Sequence, residues 1–163
     1  MMQESRKREA EDAGQAKRLG KSLRIARTPV GKGVFARRRY EAGEVIGEVE
    51  GTVIDDANYG SDYCLDLGEN RSLEPEPPFR YLNHSCDPNC LWEWYDLPRK
   101  KRTSERRRVF VLAINDIDVG EELTIDYGWP ATNAIPCRCH AANCRGWIVA
   151  EDELDQVRTA PAH

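Results

Sequence analysis

The sequence predicts a mainly β fold made of several short strands. Between Leu23 and Ile125 the apolar residues come in short runs, each closed by Gly, Pro, Asn or Asp, as strands and their turns are written. From residue 23 to residue 135 no stretch holds the sustained apolar period of a long amphipathic helix. Length sets the scale: 163 residues, 40% hydrophobic and 32% charged, suit one globular domain with a core of ordinary size.

Residues 1–21 read as a charged, mobile arm, rich in Lys, Arg, Glu, Ala and Gln with little to bury. Leu23-Arg24-Ile25-Ala26 alternates as a strand, and Thr28-Pro29-Val30-Gly31-Lys32-Gly33 reads as a turn. Val34-Phe35-Ala36 and Val45–Val49 follow as strands around the turn Glu41-Ala42-Gly43-Glu44. Thr52-Val53-Ile54 and Tyr63–Leu67 are two more, and Pro75, Pro77 and Pro78 hold an extended loop before Phe79. Leu91–Tyr95, Val109–Ile114 and Leu123-Thr124-Ile125 complete the strands, with Asp118-Val119-Gly120-Glu121 as a turn. Residues 150–163 form an acidic tail, read as a short helix or a frayed end.

Composition excludes some classes of function. No apolar run approaches the about 20 residues that span a bilayer, so no membrane partner is expected. Met1–Gly20 has no apolar stretch, so a classical secretory signal peptide is not expected either. The chain is therefore read as intracellular: cytoplasmic in a bacterium, with the nucleus or a host cell as the other settings. Six cysteines then read as thiols and metal ligands rather than disulfides. The net charge of −4 hides a segregation: residues 1–40 carry +8, 41–80 carry −9, 81–108 carry +3 and 109–163 carry −6. The acidic middle is either a surface for a basic peptide or an ordinary solvated face. The basic run Arg99–Arg108 is either an exposed hairpin tip or a site for nucleic-acid phosphate.

Cys137, Cys139 and Cys144 lie within eight residues in a turn-rich context and point to zinc. Three thiolates need a fourth donor; His140 is adjacent in sequence, and Cys86 is distant but sits on its own turn. Cys64 and Cys90 read as buried apolar residues. The run Asn83-His84-Ser85-Cys86-Asp87-Pro88-Asn89-Cys90 is turn chemistry that also carries a histidine and a thiol. Taken alone, that histidine is a hydrogen-bonded structural group and Tyr127, at the end of an apolar strand, is core.

The order of these elements resembles the SET-domain protein-lysine methyltransferases over residues 23–148. Gly31-Lys32-Gly33-Val34-Phe35-Ala36 resembles the first cofactor-binding turn. Phe79-Arg80-Tyr81-Leu82-Asn83-His84-Ser85-Cys86 resembles the family's Arg-aromatic-apolar-Asn-His-Ser-Cys run. Gly120–Tyr127 resembles its last signature, and Cys144-Arg145-Gly146 its post-SET segment. The resemblance implies a SET fold of several small sheets with a knot-like C-terminal crossing and a zinc-binding tail: a SET domain over 22–131 and a post-SET segment over 132–149. With no cysteine-rich block ahead of the domain, it is to the minimal SET proteins of some bacteria and viruses.

The activity implied is methyl transfer from S-adenosylmethionine to a lysine of a basic protein such as a histone tail. Near neutral pH only on the order of one lysine in a thousand is the neutral amine, so alignment of that amine is central. By resemblance Tyr127 and Tyr63 are the catalytic tyrosines. Gly31, Lys32, Gly33, Arg80, Asn83, His84, Tyr127 and Trp147 bind the cofactor. Cys86, Cys137, Cys139 and Cys144 hold one structural Zn2+. Tyr63, Trp92, Ile125 and Trp129 line the lysine channel. Ile125 departs from the family, which often has Phe or Tyr there, and its side chain cannot hydrogen-bond the amine; Trp92 stands where some relatives carry an aromatic. The rivals are a catalytically silent SET module that binds a peptide or protein partner, and a zinc-dependent nucleic-acid-binding protein.

Overall fold

The computed structural model describes residues 19–96 and 107–159. The expected arm up to residue 18, most of the basic run Arg99–Arg108 and the end of the acidic tail lie outside the described residues.

Twelve short strands dominate the described residues. β1 (Leu23–Thr28) and β2 (Gly31–Ala36) form a hairpin in full register from Leu23–Ala36 to Thr28–Gly31. The turn therefore shrinks to Pro29 and Val30, and the glycines read as turn residues stand inside β2. Thr28 closes it, its Oγ1 accepting from the Val30 amide at 3.2 Å. β3 (Val45–Glu48), β9 (Arg107–Ala113) and β8 (Cys90–Asp96) make a three-stranded antiparallel sheet with β9 in the middle. β4 (Gly51–Asp55), β6 (Arg71–Pro75) and β5 (Leu65–Gly68) make another with β6 in the middle. β6 had no clear signal in the sequence, because only Leu73 in Arg71–Pro75 is a large apolar residue. β5 begins two residues later than expected, which leaves Tyr63 and Cys64 on the loop before it.

The core lies between these sheets and the β1–β2 hairpin. Val34, Val111, Leu123 and Ile117 are fully buried there, with Val109 and Ile125 beside them. Tyr40 is also fully buried, and its hydroxyl donates to the Ser22 carbonyl at 3.3 Å. Burial of such branched side chains on alternate strand positions is what fixes strand register.

β7 (Asn83–His84) and β10 (Glu122–Ile125) place the site. β10 pairs antiparallel with β2 on one edge and parallel with β7 on the other, giving the order β1-β2-β10-β7. Parallel pairing cannot be closed by a tight hairpin, and here the connection runs through β8 and β9. Asn89 ties the crossing: its Nδ2 donates to the Glu122 carbonyl at 2.8 Å and its Oδ1 accepts from the Thr124 amide at 2.9 Å. The tail after Tyr127 is sparse, with β11 (Ile135–Pro136) against β12 (Trp147–Ile148), a 3-10 turn at Glu151–Glu153 and a short helix α1 (Leu154–Thr159).

Candidate active site and cysteine cluster

The parallel pairing brings His84 opposite Ile125 and carries the chain on to Tyr127. His84 is buried, and its Nδ1 accepts from the Tyr127 amide at 3.1 Å. That fixes the tautomer: Nε2 carries the proton and faces Cys86 Sγ at 3.4 Å. Burial, together with the Arg145 cation, pushes the His84 pKa down against the pull of Asp126, so the ring is held neutral. The histidine is a joint between the tyrosine backbone and the cysteine turn.

Tyr127 turns its ring the other way. Its hydroxyl donates to the Leu82 carbonyl at 2.8 Å, and its ring lies 5.4 Å from His84 and 5.2 Å from Trp129. Burial pushes the phenol up to about 12, so it stays a neutral donor. Gly128, at φ 56°, lets the chain reverse directly after it, and Asp126 Oδ1 accepts its amide at 3.2 Å.

Two cavities meet at this tyrosine. One, of about 770 Å3, is lined by Gly31, Lys32, Tyr81 and Asn83 on one side and by Trp129, Asn133 and Ile135 on the other. The second, of about 420 Å3, is lined by Trp92, Trp94, Ile125, Phe79, Asp66 and Gly128. Asp62, Tyr63, Arg80, Leu82, Tyr127 and Trp129 belong to both. Tyr63 and Tyr127 therefore stand where the two spaces join. Tyr63 is 44% exposed, with the Arg80 guanidinium 4.0 Å above its ring. Asn83 Nδ2 bridges the first cavity's wall, donating to the Lys32 carbonyl at 3.0 Å and to Glu122 Oε1 at 2.7 Å. Gly33 lines neither cavity; a Cβ there would strike the Glu122 carboxylate, so glycine is what lets Glu122 reach Asn83. His84 lies behind the cavity walls. Trp147 sits on β12 opposite Pro136, half-buried and off both linings.

Cys86, Cys137, Cys139 and Cys144 converge, their four sulfurs within 4.8 Å of one another, a set that could hold a metal ion. Cys86 and Cys137 are 3.8 Å apart. Backbone amides point in, Arg145 to Cys86 at 3.4 Å and Gly146 to Cys144 at 3.4 Å. Burial pushes the Cys86 and Cys137 thiols up. Burial acts the same way on Cys139, but the amides of Cys86 and Ala141 and the neighbouring thiols outweigh it, and Cys139 lies at about 6. His140 adopts φ 56°, and the fourth sulfur comes from Cys86. Of the two remaining cysteines, Cys90 is buried as expected, whereas Cys64 is only half-buried and bonds Ser61 in a turn.

A SET-domain sequence model matches residues 31–128, more than half of the chain. The chain belongs to the SET-domain family. Within that family it is 34% identical over 142 residues to the histone-lysine N-methyltransferase trr of Drosophila melanogaster, 76% of this chain and 6% of that protein. It is 29% identical over 154 residues to the histone-lysine N-methyltransferase, H3 lysine-4 specific, of Emericella nidulans, 82% of this chain and 12% of that protein. It spans only those small fractions of these relatives. Among solved structures, KRYPTONITE in complex with mCHH DNA, H3(1-15) peptide and SAH shares the fold, with a TM-score of 0.66 at 24% identity over 77% of this chain and 29% of that one.

Three contributors to the SET-domain site were not foreseen in their roles: Arg145 and Glu122 lie within the motifs read above, Glu74 in none, and only the structure shows what each holds. Arg145 forks both guanidinium nitrogens onto Asp126 at 2.7 Å each, tying the cysteine segment to the strand end that bears Tyr127. Glu122 receives Asn83. Glu74 receives Arg80, Tyr59 and Ser61. A lone acidic residue in a strand offers no pattern, and only its partners, distant in sequence, reveal its use.

Proposed function

We propose that the chain is a protein-lysine methyltransferase that uses S-adenosylmethionine and acts on a lysine in a basic segment such as a histone tail. The observation that carries this reading is the junction of two cavities at Tyr63, Leu82, Tyr127 and Trp129. A transfer enzyme must hold its two substrates with the reacting atoms aligned, and two cavities that join at a few residues allow that. The larger cavity falls within the about 300–1,000 Å3 of small-molecule sites and is the cofactor side, with Gly31, Lys32 and Asn83 presenting backbone and amide groups. The smaller, walled by Trp92, Trp94, Ile125 and Trp129, takes the aliphatic stem of a lysine and strips its water.

S-adenosylmethionine, when bound, supplies an electrophilic methyl group on a sulfonium. The protein's part is to hold a neutral amine in line with it. Tyr127, kept protonated by burial, and the Leu82 carbonyl it bonds give polar groups at an otherwise aromatic junction. Asp62 and Asp66 at the lysine-side cavity attract a cationic segment. No base in the site need take the lysine's proton, since the ammonium can release it to solvent before the neutral amine attacks.

The cysteine cluster suits structural zinc. Four thiolates at about 2.3 Å from one ion lie about 3.8 Å apart in a tetrahedron, the separation of Cys86 and Cys137. A site closed by four sulfurs leaves no position for substrate, so the ion would hold Cys137–Cys144 against the Asn83–Cys86 turn. Of the residues expected as cofactor groups, Arg80 lines both cavities, whereas Gly33, His84 and Trp147 line neither and are better read as supports.

The test is labelled-methyl transfer from S-adenosylmethionine to core histones, with Tyr127→Phe beside the wild type. We expect label on lysine and a loss in kcat of about a hundredfold or more in the variant. Full transfer by Tyr127→Phe would remove that residue from the reaction. Neither transfer nor cofactor binding by the wild type would favour a silent module.

A further inference from the structure

We propose that Glu74 is the positioning residue for Tyr63, holding it at the cavity junction through both its backbone and its ring. The inference rests on the methyltransferase reading of that junction. Tyr63 is otherwise poorly held: it lies on a loop outside any strand and is 44% exposed. Glu74 lies on β6, the middle strand of its sheet, paired with Thr52. Its carboxylate is 19% exposed and faces three donors. Tyr59 Oη donates at 2.9 Å and Ser61 Oγ at 2.6 Å to one oxygen, and the Arg80 guanidinium bonds the other.

Each donor leads to Tyr63 or its loop. Ser61 Oγ, its proton given to Glu74, accepts the amides of Tyr63 and Cys64 at 3.1 Å each. Arg80, held by Glu74, lies with its guanidinium 4.0 Å over the Tyr63 ring. One rigid carboxylate thus fixes where the tyrosine backbone begins and which way its ring faces. Only an ionised carboxylate can do this: it is acceptor-only, with room for several donors. Burial pushes the Glu74 pKa up, but the bonds from Ser61, Arg80 and Tyr59 outweigh it and hold the group below the usual carboxylate range. A glutamine would turn an NH2 toward at least one donor. Arg80, whose charge Glu74 partners, also belongs to the shared lining.

The experiment compares wild type and Glu74→Gln in the full chain by amide hydrogen exchange and by steady-state transfer to a lysine peptide. We expect the amides of Tyr63 and Cys64 to exchange at least about tenfold faster, while residues 83–90 and 122–127 keep their protection. Transfer should lose about ten- to a hundredfold in kcat, a larger factor than any loss of S-adenosylhomocysteine affinity by calorimetry. In a Tyr63→Ala background Glu74→Gln should cost nothing more, because the two act as one unit. Unchanged exchange at residues 63 and 64, or the same cost with Tyr63 absent, would overturn the inference. Should Glu74→Gln not fold, Arg80→Lys removes the planar stack while keeping the charge. It should lower kcat and lose that effect in Tyr63→Ala; no loss of kcat would likewise overturn the proposal. A wild type without transfer activity would sink the methyltransferase reading and the catalytic half of this one. The exchange data would still decide whether Glu74 holds Tyr63.

Discussion

The crossing of β7 with β10 and the cysteine-clasped tail flank the same tyrosine, yet they are held by different physics. In the crossing, Leu123 is fully buried and Ile125 nearly so, and every strand is paired on at least one edge. Its stability comes from apolar burial and a backbone ladder, which persist without a ligand. The tail has two-residue strands, and Val149 is its one fully buried side chain among the described residues. What hold it are the Arg145–Asp126 fork, the Ala150 amide on the Trp129 carbonyl at 2.7 Å, and the four convergent sulfurs through the zinc proposed for them. A segment too short to bury a core must be pinned by a few strong contacts. That leaves the wall bearing Trp129, Asn133 and Ile135 conditional on those contacts, while the wall bearing Asn83 and Tyr127 is permanent.

Metal removal should break the comparison most widely. Structural zinc in small peptides is worth on the order of 10 kcal/mol of folding free energy. Chelation, or Cys137→Ser, should therefore release residues 129–149 to fast exchange while residues 83–90 and 122–127 stay protected. A tail that keeps its protection against a strong chelator would mean that the cysteines hold no ion.

Leu123→Ala attacks the other region and should do the reverse. Emptying a fully buried leucine site costs about 2–5 kcal/mol, read as a lowered urea midpoint for the whole domain. Unfolding confined to the tail would show that the crossing is not the stabilising centre.

The fork between the regions should matter less. Asp126 is 32% exposed, so its bond to Arg145 is partly screened. Asp126→Asn should cost about 1–2 kcal/mol, and in a double-mutant cycle with Arg145→Gln the two losses should not add. Additive losses would mean that the two residues act separately.

The last effect appears only in alkali. Burial raises the Tyr127 pKa from 10.0 to about 12. The unfolded chain therefore releases this proton first, and the contribution is whole below about pH 10 and lost as pH rises through the folded value. Stability against urea should fall between those limits, and less steeply in Tyr127→Phe. Equal slopes would place the phenol in contact with water.

Much of this was legible in the chain. Turn residues at Gly43 and Gly120 punctuate the strands, and both lie at positive φ. The spacing of Cys137, Cys139 and Cys144 foretold a shared site, and the Asn83–Cys86 run placed a thiol on a turn. β6 was missed because Arg71–Pro75 has too few apolar residues to show a period. The glycines of β2 were misread because glycine serves a turn and a crowded strand equally well. Cys64 was read as buried because its residue type usually is, and only the fold shows it half-buried in a turn.

The sequence by itself determined what each segment can do chemically: which residues form strands, which sulfurs can bind metal, which phenol follows a buried strand. These are properties of side chains and of local backbone preference. Tertiary structure decided which groups meet. Asn83 and Glu122 are 39 positions apart, the Tyr127 hydroxyl and the Leu82 carbonyl 45, and Cys86 and Cys137 51. No local preference encodes such pairs. They arise because β10 has one place to bury Leu123 and Ile125, and taking it fixes β7 alongside, Tyr127 at the cavity junction and Cys86 beneath the tail.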